Sequence, residues 1–560
     1  MPRTSTLSTA GQGFDSVPRS VQKLQSRIDV RGKRFRENRE AYGKLLGILR
    51  DRQQWAIDGG EGRERSIERH LSRGKILPRD RIDLVVDRGT PFLELSTLSG
   101  FGQYDDAAPG AGIVTGIGIV HGAPWVFIAN DATVKGGSLL PVAIKKHVRA
   151  QDIALENGLG VIYLVDSGGA FLPLQDELFP DKDHFGGSFY RQARLSAAGL
   201  PQLAVVLGGC TAGGAYVPAL CDEVIMVEGI GRIFLGGPPI VKAALGEIID
   251  ADDLGGAALH TRTSGVSDQI ASNEREAYGK LREICGTTNR APASHREGWL
   301  DWVPPEAPAF APEEIYGIIE ADRRLPFSAG EILARIVDGS KFAPFKPQWG
   351  ESIVCGFARI WGHLVGVIAN DGIIFAESAL KATHFIELCE QRRIPLIFFQ
   401  NTSGYMVGRD SEAAGIAKHG AKMVSAVANA TVPKYTVLMG GSYGAGNYGM
   451  CGRGFQPRFL FAWPNSRIAT MAPETAQTVL VDIRLAGLKA EETTDEQVEA
   501  IRAEIGGQFE TQSDPYYATS RLWDDGLIDP VHTRDVLGLC LALAARQEAP
   551  APGPALVYRM

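Results

Sequence analysis

The sequence predicts an α/β fold built from two tandem, similar domains, because one long motif occurs twice. Pro201–Pro218 has the sequence PQLAVVLGGCTAGGAYVP, and Pro433–Met450, 232 positions later, has PKYTVLMGGSYGAGNYGM. Each copy is a short apolar run that ends at glycines, a pattern typical of a buried strand followed by a tight turn and a helix. Two copies of so long a unit indicate a duplicated pair of domains rather than a solenoid of short repeats.

Two upstream motifs extend the duplication. Asn130–Asp131 corresponds to Asn370–Asp371, and Gly160–Ala170 corresponds to Pro395–Tyr405, with separations of 240 and 235 residues. The separation changes slowly along the chain, as loop insertions of different length would make it change. The repeat is therefore wider than the glycine-rich motif itself.

Length and composition limit the possible classes of protein. With 560 residues, the chain exceeds what a single core usually supports. An apolar content of 44% with 22% charged residues is ordinary for a globular protein, whereas 66 glycines are well above the usual share of about 7%. The net charge of −7 argues against general nucleic-acid binding, so we expect any anionic ligand to meet local Lys and Arg side chains.

Cysteine spacing and hydropathy exclude further classes. The seven cysteines form no CxxC pair and no metal-ligand spacing, which predicts reduced thiols in an intracellular compartment and no metal site. No apolar run approaches the ~18–20 residues of a membrane span, so no membrane association is expected. The first 26 residues are rich in Ser, Thr and Arg, with Asp15 as their one acid. A disordered tail and a cytoplasmic location are favoured over a transit peptide, which would direct the chain to the mitochondrial matrix.

The first half of the chain is predicted to have two parts. Residues 1–56 hold the tail and an amphipathic basic stretch, Val21–Ala56, whose periodicity indicates a helix or two packed on a domain edge. Residues 57–300 form the first domain. Within it, hydrophobic patterning predicts a hairpin at Gly112–Asn130, a helix at Leu140–Asn157 and a strand at Val161–Asp166.

A proline-rich segment, Arg290–Pro312, is the predicted linker to the second domain, residues 313–560. The second domain is expected to repeat the first, with a hairpin-like pair of strands at Ile353–Asn370. Three further stretches are predicted to be helical: Glu313–Ser340, Arg484–Phe509 and Arg534–Arg546.

The small-residue turn in each copy is the candidate catalytic feature. Gly213–Gly214 aligns with Ala445–Gly446, and residues with almost no side chain allow backbone N–H groups to face a cleft. Such a pair of donors can stabilise a developing oxyanion. Purely structural turns are the alternative, but two copies within a wider repeat favour a site. Neither turn has a GxGxxG or Walker pattern, so nucleotide binding of those kinds is not expected.

The sequence gives weaker support to three other catalytic arrangements. Gly440–Gly444 fits the GxSxG nucleophile elbow, but His532 is the one histidine that follows Ser442, and the other copy has Cys210 instead. No carboxylate lies within six residues of either turn, which argues against simple hydration of an enoyl thioester. One acidic loop is either a general-base cluster or a charged surface loop: Glu177, Asp181, Asp183 and His184.

Several long motifs resemble a known family. VDSGGAFLPLQDELFPDKDHFG, GGCTAGGAYVPALCDEV, NTSGYMVGRDSEAAGIAKHGAKMVSA and GGSYGAGNYGMCGR are similar to the carboxyltransferase β subunits of biotin-dependent acyl-CoA carboxylases. The similarity runs from about Ser72 to the C-terminus, and it is strongest to 3-methylcrotonyl-CoA carboxylase, with geranyl-CoA carboxylase close behind. The resemblance implies two crotonase-like ββα-spiral domains, with active sites where the N half of one subunit meets the C half of another.

The resemblance also implies a reaction, in which CO₂ passes from carboxybiotin to the γ-carbon of a branched α,β-unsaturated acyl-CoA. The first candidate is 3-methylcrotonyl-CoA, and geranyl-CoA or another longer acyl-CoA is the alternative. Gly213–Gly214 would then hold the thioester oxygen, and Ala445–Gly446 the ureido oxygen of biotin. The other residues expected to bind acyl-CoA are Lys135, Gly136, Gly137, Gly168, Gly169, Ala170, Ala215 and Tyr216. Those expected to bind biotin are Gly404, Tyr405, Tyr443 and Gly444.

Biotin is expected on another chain. A Met-Lys-Met biotinylation sequence is missing, since Ala421–Lys422–Met423 lacks the leading Met, and no ATP-binding carboxylase module is visible. The implied partners are therefore an α subunit with biotin carboxylase and biotin carboxyl carrier parts, and further copies of this chain, with a β hexamer expected.

The sequence departs from the family pattern in two places. Ala472–Pro473 stands where a Gly-Gly-Glu-Gln-Ala-like turn is usual, and because proline lacks an N–H donor, the wall near biotin is expected to differ. Leu174 and Gly187 stand where related chains often carry arginine, which predicts a larger or less charged acyl pocket. Two rival functions stay open: a subunit of a membrane-pump decarboxylase, and a non-catalytic scaffold subunit.

Overall fold

Two large mixed β-sheets, one in each half of the chain, form the framework of the computed structural model, which describes residues 21–288, 299–323, 325–486, 494–551 and 553. The strands of the first half are β1 (Leu93–Leu95), β2 (Ile113–Val120), β3 (Ala123–Asn130), β4 (Ser138–Leu139), β5 (Gly160–Ser167), β6 (Gly169–Ala170), β7 (Gln202–Thr211), β8 (Glu223–Val227), β9 (Arg232–Phe234) and β10 (Gln269–Ala271). Those of the second half are β11 (Ala343–Phe345), β12 (Ile353–Ile360), β13 (His363–Asn370), β14 (Leu396–Thr402), β15 (Lys434–Tyr443), β16 (Phe459–Ala462) and β17 (Arg467–Ala469).

Helices surround and connect these sheets. In the first half they are α1 (Lys33–Asp58), α2 (Glu64–Leu71), α3 (Pro78–Val85), α4 (Pro141–Asn157), α5 (Phe185–Ala197), α6 (Tyr216–Ala219), α7 (Pro238–Leu245), α8 (Ala251–Gly255), α9 (Ala257–Leu259) and α10 (Glu274–Thr287). In the second half they are α11 (Ile315–Ile318), α12 (Ala329–Leu333), α13 (Ala376–Arg392), α14 (Arg409–Ala413), α15 (Ile416–Asn429), α16 (Gly444–Gly449), α17 (Pro473–Ala486), α18 (Asp495–Ser513), α19 (Pro515–Ser520) and α20 (Thr533–Ala545).

The two large sheets have the same strand order, which confirms the predicted duplication. The first runs β1-β2-β3-β5-β7-β8-β10, with β9 beside β7, and the second runs β11-β12-β13-β14-β15-β16, with β17 beside β15. In both, the first three strands are antiparallel and the following ones pair in parallel. β7 and β15, the two copies of the glycine-rich motif, therefore occupy equivalent central positions.

The predicted hairpin at Gly112–Asn130 is confirmed as β2 and β3, and its repeat as β12 and β13. Each pair is joined by two residues with positive φ, His121–Gly122 in the first and Trp361–Gly362 in the second. Two successive residues with positive φ form a tight hairpin turn whose twist matches that of the flanking strands. The predicted helix at Leu140–Asn157 is confirmed as α4, which begins with Pro141 and ends at Gly158 in the left-handed conformation.

Buried strands alternate their side chains between two apolar layers. In β3, Val126 and Ile128 join one layer, while Phe127 joins the layer on the opposite face. The first layer also contains Val437 and Phe461 from the second sheet. Because both sheets contribute to one continuous layer, the two halves are packed against each other rather than merely linked.

The predicted basic stretch Val21–Ala56 contains one long helix, α1. Its Tyr42 ring stacks on Tyr316 with 5.5 Å between centroids, and the Tyr42 hydroxyl donates to Asn465 at 2.7 Å. Asn38 Nδ2 donates to the Gly317 carbonyl at 3.2 Å. The first part of the helix therefore packs on the second half of the chain, while Trp55 near its end contacts Phe101 of the first half with 5.3 Å between centroids.

The continuous helix expected over Glu313–Ser340 is wrong. The structure has two short helices there, α11 and α12, and Pro326 lies between them. Proline lacks the N–H that a helix interior needs, so the chain cannot remain helical through this position. The terminal helix expected at Arg534–Arg546 is confirmed as α20. The stretch Arg484–Phe509 and the linker Arg290–Pro312 lie partly outside the described residues.

Three structural features bear on the expected chemistry. All seven cysteines are free thiols. Within the described ranges, no group of three or more His, Cys, Asp and Glu side chains is arranged to hold a metal ion. The helices of the described part are all too short or too polar to cross a membrane.

Candidate active site

The two small-residue turns lie at equivalent ends of β7 and β15. After β7 the chain enters a 3₁₀ turn, Ala212–Ala215, and then α6, whereas after β15 it enters α16 directly. Ala212, with φ 53°, begins the first turn, and Gly444, with φ 56°, begins the second. The first N–H groups of a helical segment lack acceptors within it. Both turns therefore have the backbone arrangement that suits an oxyanion site.

Close packing explains why these turns need small residues. A Cβ on Gly446 would lie 3.0 Å from both Gly404 Cα and Thr402 Cγ2, and one on Gly213 would lie 2.7 Å from Phe185 Cε1. At Gly214 the nearest atom is Ser167 Oγ, at 3.9 Å. The steric requirement is thus strict at Gly213 and Gly446 and weak at Gly214.

A second turn lies beside each small-residue turn, and the same hydrogen bond stabilises it in both halves. The N–H of Gly169 donates to Ser167 Oγ at 3.1 Å, and the N–H of Gly404 donates to Thr402 Oγ1 at 3.0 Å. Both glycines have positive φ, which disfavours any other residue. The structure therefore brings the predicted residues Gly168–Ala170 and Gly404 to the turns that they were expected to accompany.

The predicted Lys135–Gly137 segment joins the same region of the first half. The Gly168 N–H donates to the Gly137 carbonyl at 2.9 Å, and β4 pairs with β6 immediately beyond. A Cβ on Gly137 would lie 2.5 Å from the Asp166 carbonyl oxygen. This close approach explains the glycine at 137, whereas Gly136 has open space around it and is favoured by its φ of 67°.

The predicted tyrosines differ in exposure. Tyr216 is 47% exposed and its repeat counterpart Tyr448 is 51% exposed, so each small-residue turn has a half-exposed ring nearby. The ring of Tyr405 instead packs inward, with its hydroxyl 3.6 Å from Met423 Sδ, and burial raises the pKa of Tyr405. The backbone of Tyr405, which follows Gly404, forms a bridge with Ile374. Tyr443 ends β15 next to Gly444.

A row of aromatic rings borders the first turn. Phe185 contacts Phe189 with 5.0 Å between centroids, and Phe189 contacts Tyr216 at 5.6 Å. Behind Gly214 and Phe185 lies a small cavity that His147 also lines. Burial lowers the pKa of His147 to about 4, so its imidazole is neutral at physiological pH.

Leu174 and Gly187 do not line this cavity. Leu174 is half-buried against the core, and a Cβ on Gly187 would overlap the Lys182 carbonyl oxygen. Glycine at 187 is therefore explained by close backbone packing. The expected enlargement of the acyl pocket stays a prediction.

A basic cleft of about 1070 Å³ lies beside Lys135–Gly136 and Gly208–Gly209. Its basic side chains are Arg63, Arg69, His70, Arg73, Lys75, Lys135 and Arg232. Among the described carboxylates, none lies within ion-pair distance of Arg69, Arg73 or Lys135. The cleft thus offers three cations to an anionic ligand.

The acidic loop is a charged surface loop. Asp183 pairs with Lys182 and, at 3.0 Å, with Arg191, and the hydrogen bond from Lys182 leads the effects that lower the Asp183 pKa. The loop lines a different cleft, together with Arg453 and Arg521. The described contacts of Asp183 are with Lys182 and Arg191, and none joins it to either small-residue turn.

Ser442 is not placed as a nucleophile. Its side chain is fully buried within β15, where Oγ donates to Gln400 Oε1 at 2.5 Å and accepts from Asn447 Nδ2 at 2.7 Å. A nucleophile elbow would instead present the serine at the apex of the turn. The GxSxG pattern here is structural.

We expect Ser442→Ala to retain catalytic turnover within about threefold, because the hydroxyl has no access to a substrate. The variant should lose about 1–2 kcal/mol of unfolding free energy, since Gln400 and Asn447 lose a buried hydrogen-bond partner. Steady-state turnover and chemical denaturation measure the two effects. A hundredfold loss of turnover in a folded variant would restore the nucleophile hypothesis.

The structure adds functional residues that the sequence reasoning missed. Asn130 Oδ1 accepts from the Asp166 N–H at 3.3 Å, and Asn370 Oδ1 accepts from the Asn401 N–H at 2.9 Å. These side chains fix the ends of β5 and β14, from which the supporting turns begin. The signal was available, because both asparagines belong to the repeated Asn-Asp motif.

The aspartates of that motif have different surroundings in the two halves. Asp131 pairs with the buried Arg63 at 3.3 Å, whereas Asp371 accepts from the Ala329 N–H at 2.6 Å. Burial raises the pKa of Asp371 to about 6. Folding therefore favours the protonated form of Asp371, and its ionisation lowers stability as the pH rises from about 4 through 6.

We expect Asp371→Asn to raise the unfolding free energy by about 1–2 kcal/mol at pH 8 and to leave it unchanged at pH 4, because asparagine keeps the acceptor without the charge. Urea titrations at both pH values measure the difference. Asp131→Asn is the matched variant, and it should be destabilised at pH 8 because Arg63 loses its counterion. Equal responses of the two variants would contradict this account.

The departure at Ala472–Pro473 coincides with the start of α17, which begins at Pro473. Proline is well tolerated at the first position of a helix, where its missing N–H is not needed. This start follows β17, which pairs with Gly441–Tyr443. The expected change in the wall near the second turn stays a prediction.

Comparisons with known proteins place the chain in a family. The family model described as the carboxyl transferase domain covers residues 69–555. The chain is 55% identical over 508 residues to the biotin-dependent 3-methylcrotonyl-coenzyme A carboxylase beta1 subunit of Mycobacterium tuberculosis, covering 90% of this chain and 95% of the relative. It is 52% identical over 536 residues to a probable mitochondrial methylcrotonoyl-CoA carboxylase beta chain of Drosophila melanogaster, covering 93% and 92%.

A solved structure agrees with the fold. The beta subunit of geranyl-CoA carboxylase from P. aeruginosa superposes with a TM-score of 0.86 at 42% identity, covering 95% of this chain and 99% of that one. The crotonase-like α/β fold and the family that the sequence motifs indicated are thereby confirmed. The chain belongs to the carboxyl transferase family, among the β subunits of biotin-dependent acyl-CoA carboxylases.

Proposed function

We propose that this chain transfers CO₂ from carboxybiotin to the γ-carbon of 3-methylcrotonyl-CoA. The observation that carries the proposal is the pair of equivalent turns at Gly213–Gly214 and Ala445–Gly446, one for each reactant. The names of the Mycobacterium tuberculosis and Drosophila melanogaster relatives support this substrate. Geranyl-CoA is the second candidate, supported by the P. aeruginosa structure.

The first half is proposed to bind the acyl-CoA. Arg69, Arg73 and Lys135 form no ion pair with a described carboxylate and suit the phosphates of the nucleotide, and the cleft that they line continues to Gly208–Gly209. The N–H groups of Gly213–Gly214 would donate to the thioester oxygen. Each such donor stabilises the developing enolate charge by about 3–4 kcal/mol. The aromatic row along Phe185 and Tyr216 would border the acyl chain.

The second half fits biotin, whose ring system is uncharged at the ureido group. The turn around Gly446 is a cradle that a single Cβ would fill, and the side chains behind it are the neutral Asn370, Asn401 and Thr402. When bound, carboxybiotin supplies the carboxyl group. Ala445 and Gly446 would hold the ureido oxygen with their N–H groups.

Assembly with other chains is part of the proposal. Several large apolar side chains in each half are more than half exposed, and apolar surface exposed in this way can mark interaction surfaces. In the first half they are Leu172, Phe179, Leu235, Ile240, Leu245 and Ile248, and in the second half Val407, Tyr448 and Ile483. We propose that the N half of one copy meets the C half of another there, within a β hexamer, and that an α subunit delivers biotin.

The test is to purify the chain with its α subunit and to supply ATP, bicarbonate and a panel of enoyl-CoAs. We expect ATP-dependent carboxylation of 3-methylcrotonyl-CoA. Turnover of geranyl-CoA alone would select the second candidate. ATP-independent decarboxylation would support a membrane-pump subunit. Assembly with the α subunit without transfer from carboxybiotin would identify a scaffold.

A further inference from the structure

The two halves differ in charge at one otherwise equivalent position, directly behind the turns. Asp166 and Asn401 are the last residues but one of β5 and β14, and the backbone N–H of each donates to a repeat-related asparagine. A Cβ on Gly208 would overlap Asp166 Oδ1, and one on Gly440 would overlap Asn401 Oδ1. The two side chains therefore lie in the same place, against the first glycine of each Gly-Gly pair.

Their partners are different. Asn401 Oδ1 accepts from the Gly441 N–H at 3.2 Å, a contact within the second sheet. Asp166 accepts instead from Lys75 Nζ, which lies 2.8 Å from both carboxylate oxygens, and from Arg81 Nη2 at 3.3 Å. The first half thus uses an ion pair where the second half uses a neutral amide.

A buried network fixes this ion pair. Arg81 is fully buried and binds both oxygens of Glu274 at 3.0 and 2.9 Å, and the Tyr278 hydroxyl donates to Glu274 at 2.5 Å. The two cations and two carboxylates balance in charge, as buried ions must. Lys75 and Asp166 are thereby tied to α3 and α10.

Lys75 still has capacity for a ligand. An ammonium group has three donors, and Asp166 takes two of them. Its side chain is 11% exposed and lines the basic cleft beside Gly208–Gly209, where a Cβ on Gly208 would lie 2.8 Å from Nζ. Lys75 thus joins Arg69, Arg73 and Lys135 around one space.

The aspartate of the repeated Asn-Asp motif also has a charged partner in the first half only. Asp131 in the first half is paired with the buried Arg63, while its counterpart Asp371 accepts a backbone N–H. Arg63, Lys75 and Arg81 all come from residues 63–81, which pack on the first half. This segment therefore supplies cations to the first half, and the described contacts show no equivalent for the second.

We propose that Lys75, held in place by Asp166, is a specificity-determining residue that binds the anionic nucleotide portion of acyl-CoA. The ammonium group of Lys75 favours a polyanionic reactant in the first half, whereas the amide at Asn401 brings no such cation to the second half. The inference rests on the proposed function for the identity of the acyl-CoA.

Calorimetric titration with CoA alone tests the inference without requiring turnover. We expect Lys75→Met to weaken CoA binding about tenfold and Lys75→Arg to retain it within about threefold, as losing or keeping a charged hydrogen bond implies. Lys44→Met, on the exposed face of α1, is the matched control and should bind as the wild type does. Unchanged CoA binding by folded Lys75→Met would overturn the inference.

Steady-state kinetics of the complex with the α subunit separate binding from a structural role. Lys75→Met should raise the KM for acyl-CoA about tenfold and leave the KM for the same acyl group on pantetheine unchanged, since pantetheine lacks the nucleotide. The double variant Lys75→Met/Asp166→Asn restores charge balance, and it should recover thermal stability but keep the raised KM. Recovery of the KM in the double variant, or equal losses with both thioesters, would overturn the inference. A wild-type complex that binds CoA but carboxylates no enoyl-CoA would instead refute the proposed function.

Discussion

Gly446→Ala is expected to lower the kcat of carboxyl transfer by about 10²–10³, because it displaces an N–H donor of the second turn. The added Cβ would lie 3.0 Å from Gly404 Cα, which is backbone, and 3.1 Å from Thr402 Oγ1, which is held by the hydrogen bond from the Gly404 N–H. The start of α16 must therefore move away from the supporting turn. Since the first half is untouched, the KM for acyl-CoA should stay the same.

The matched control for this substitution is Gly454→Ala. No described atom lies within 4 Å of a Cβ on Gly454, and its φ is not in the left-handed region. The control should keep wild-type kcat, and both variants should assemble with the α subunit. A Gly446→Ala enzyme with kcat within twofold of the wild type would show that the N–H groups of this turn do not carry the reaction.

The fold was largely predictable because its signals are local and occur twice. The glycine turn after a buried strand has a sequence signature of its own, and the same signature at Pro201–Pro218 and Pro433–Met450 required two similar sheets. The hairpins follow from alternating apolar residues around a two-residue turn. The small-residue turns are likewise visible in sequence, since a backbone donor site requires residues without side chains.

What the sequence did not reveal depends on distant partners or on the direction of a side chain. Lys75 and Asp166 are 91 residues apart, and no local pattern indicates that they form an ion pair. The ring of Tyr405 turns inward to Met423 because the chain packs against α15. The glycine-rich sequence around Tyr405 does not determine the direction of this ring. Gly187 illustrates the same limit, because the nearby carbonyl oxygen of Lys182 leaves no space for a side chain at this position.

Gly213→Ala is expected to reduce kcat/KM for acyl-CoA by about 10²–10³, through a different contact. The added Cβ would lie 2.7 Å from Phe185 Cε1 and 3.1 Å from Phe185 Cδ1, so the clash is with one aromatic ring. Phe185 is buried and packs against Phe189, which leaves its ring little room to turn. The turn must shift instead, and its N–H groups lose their alignment.

Because one ring causes the clash, a second substitution should relieve it. Phe185→Leu removes the ring edge that meets the new methyl group, and we expect Gly213→Ala/Phe185→Leu to recover at least about tenfold of the lost kcat/KM, in a double-mutant cycle with strong coupling. Gly186→Ala, on α5 with open space around its Cβ, is the matched control and should behave as the wild type does. If the double variant were as inactive as Gly213→Ala alone, the loss would not arise from the position of the turn, and Gly213 would act by another route.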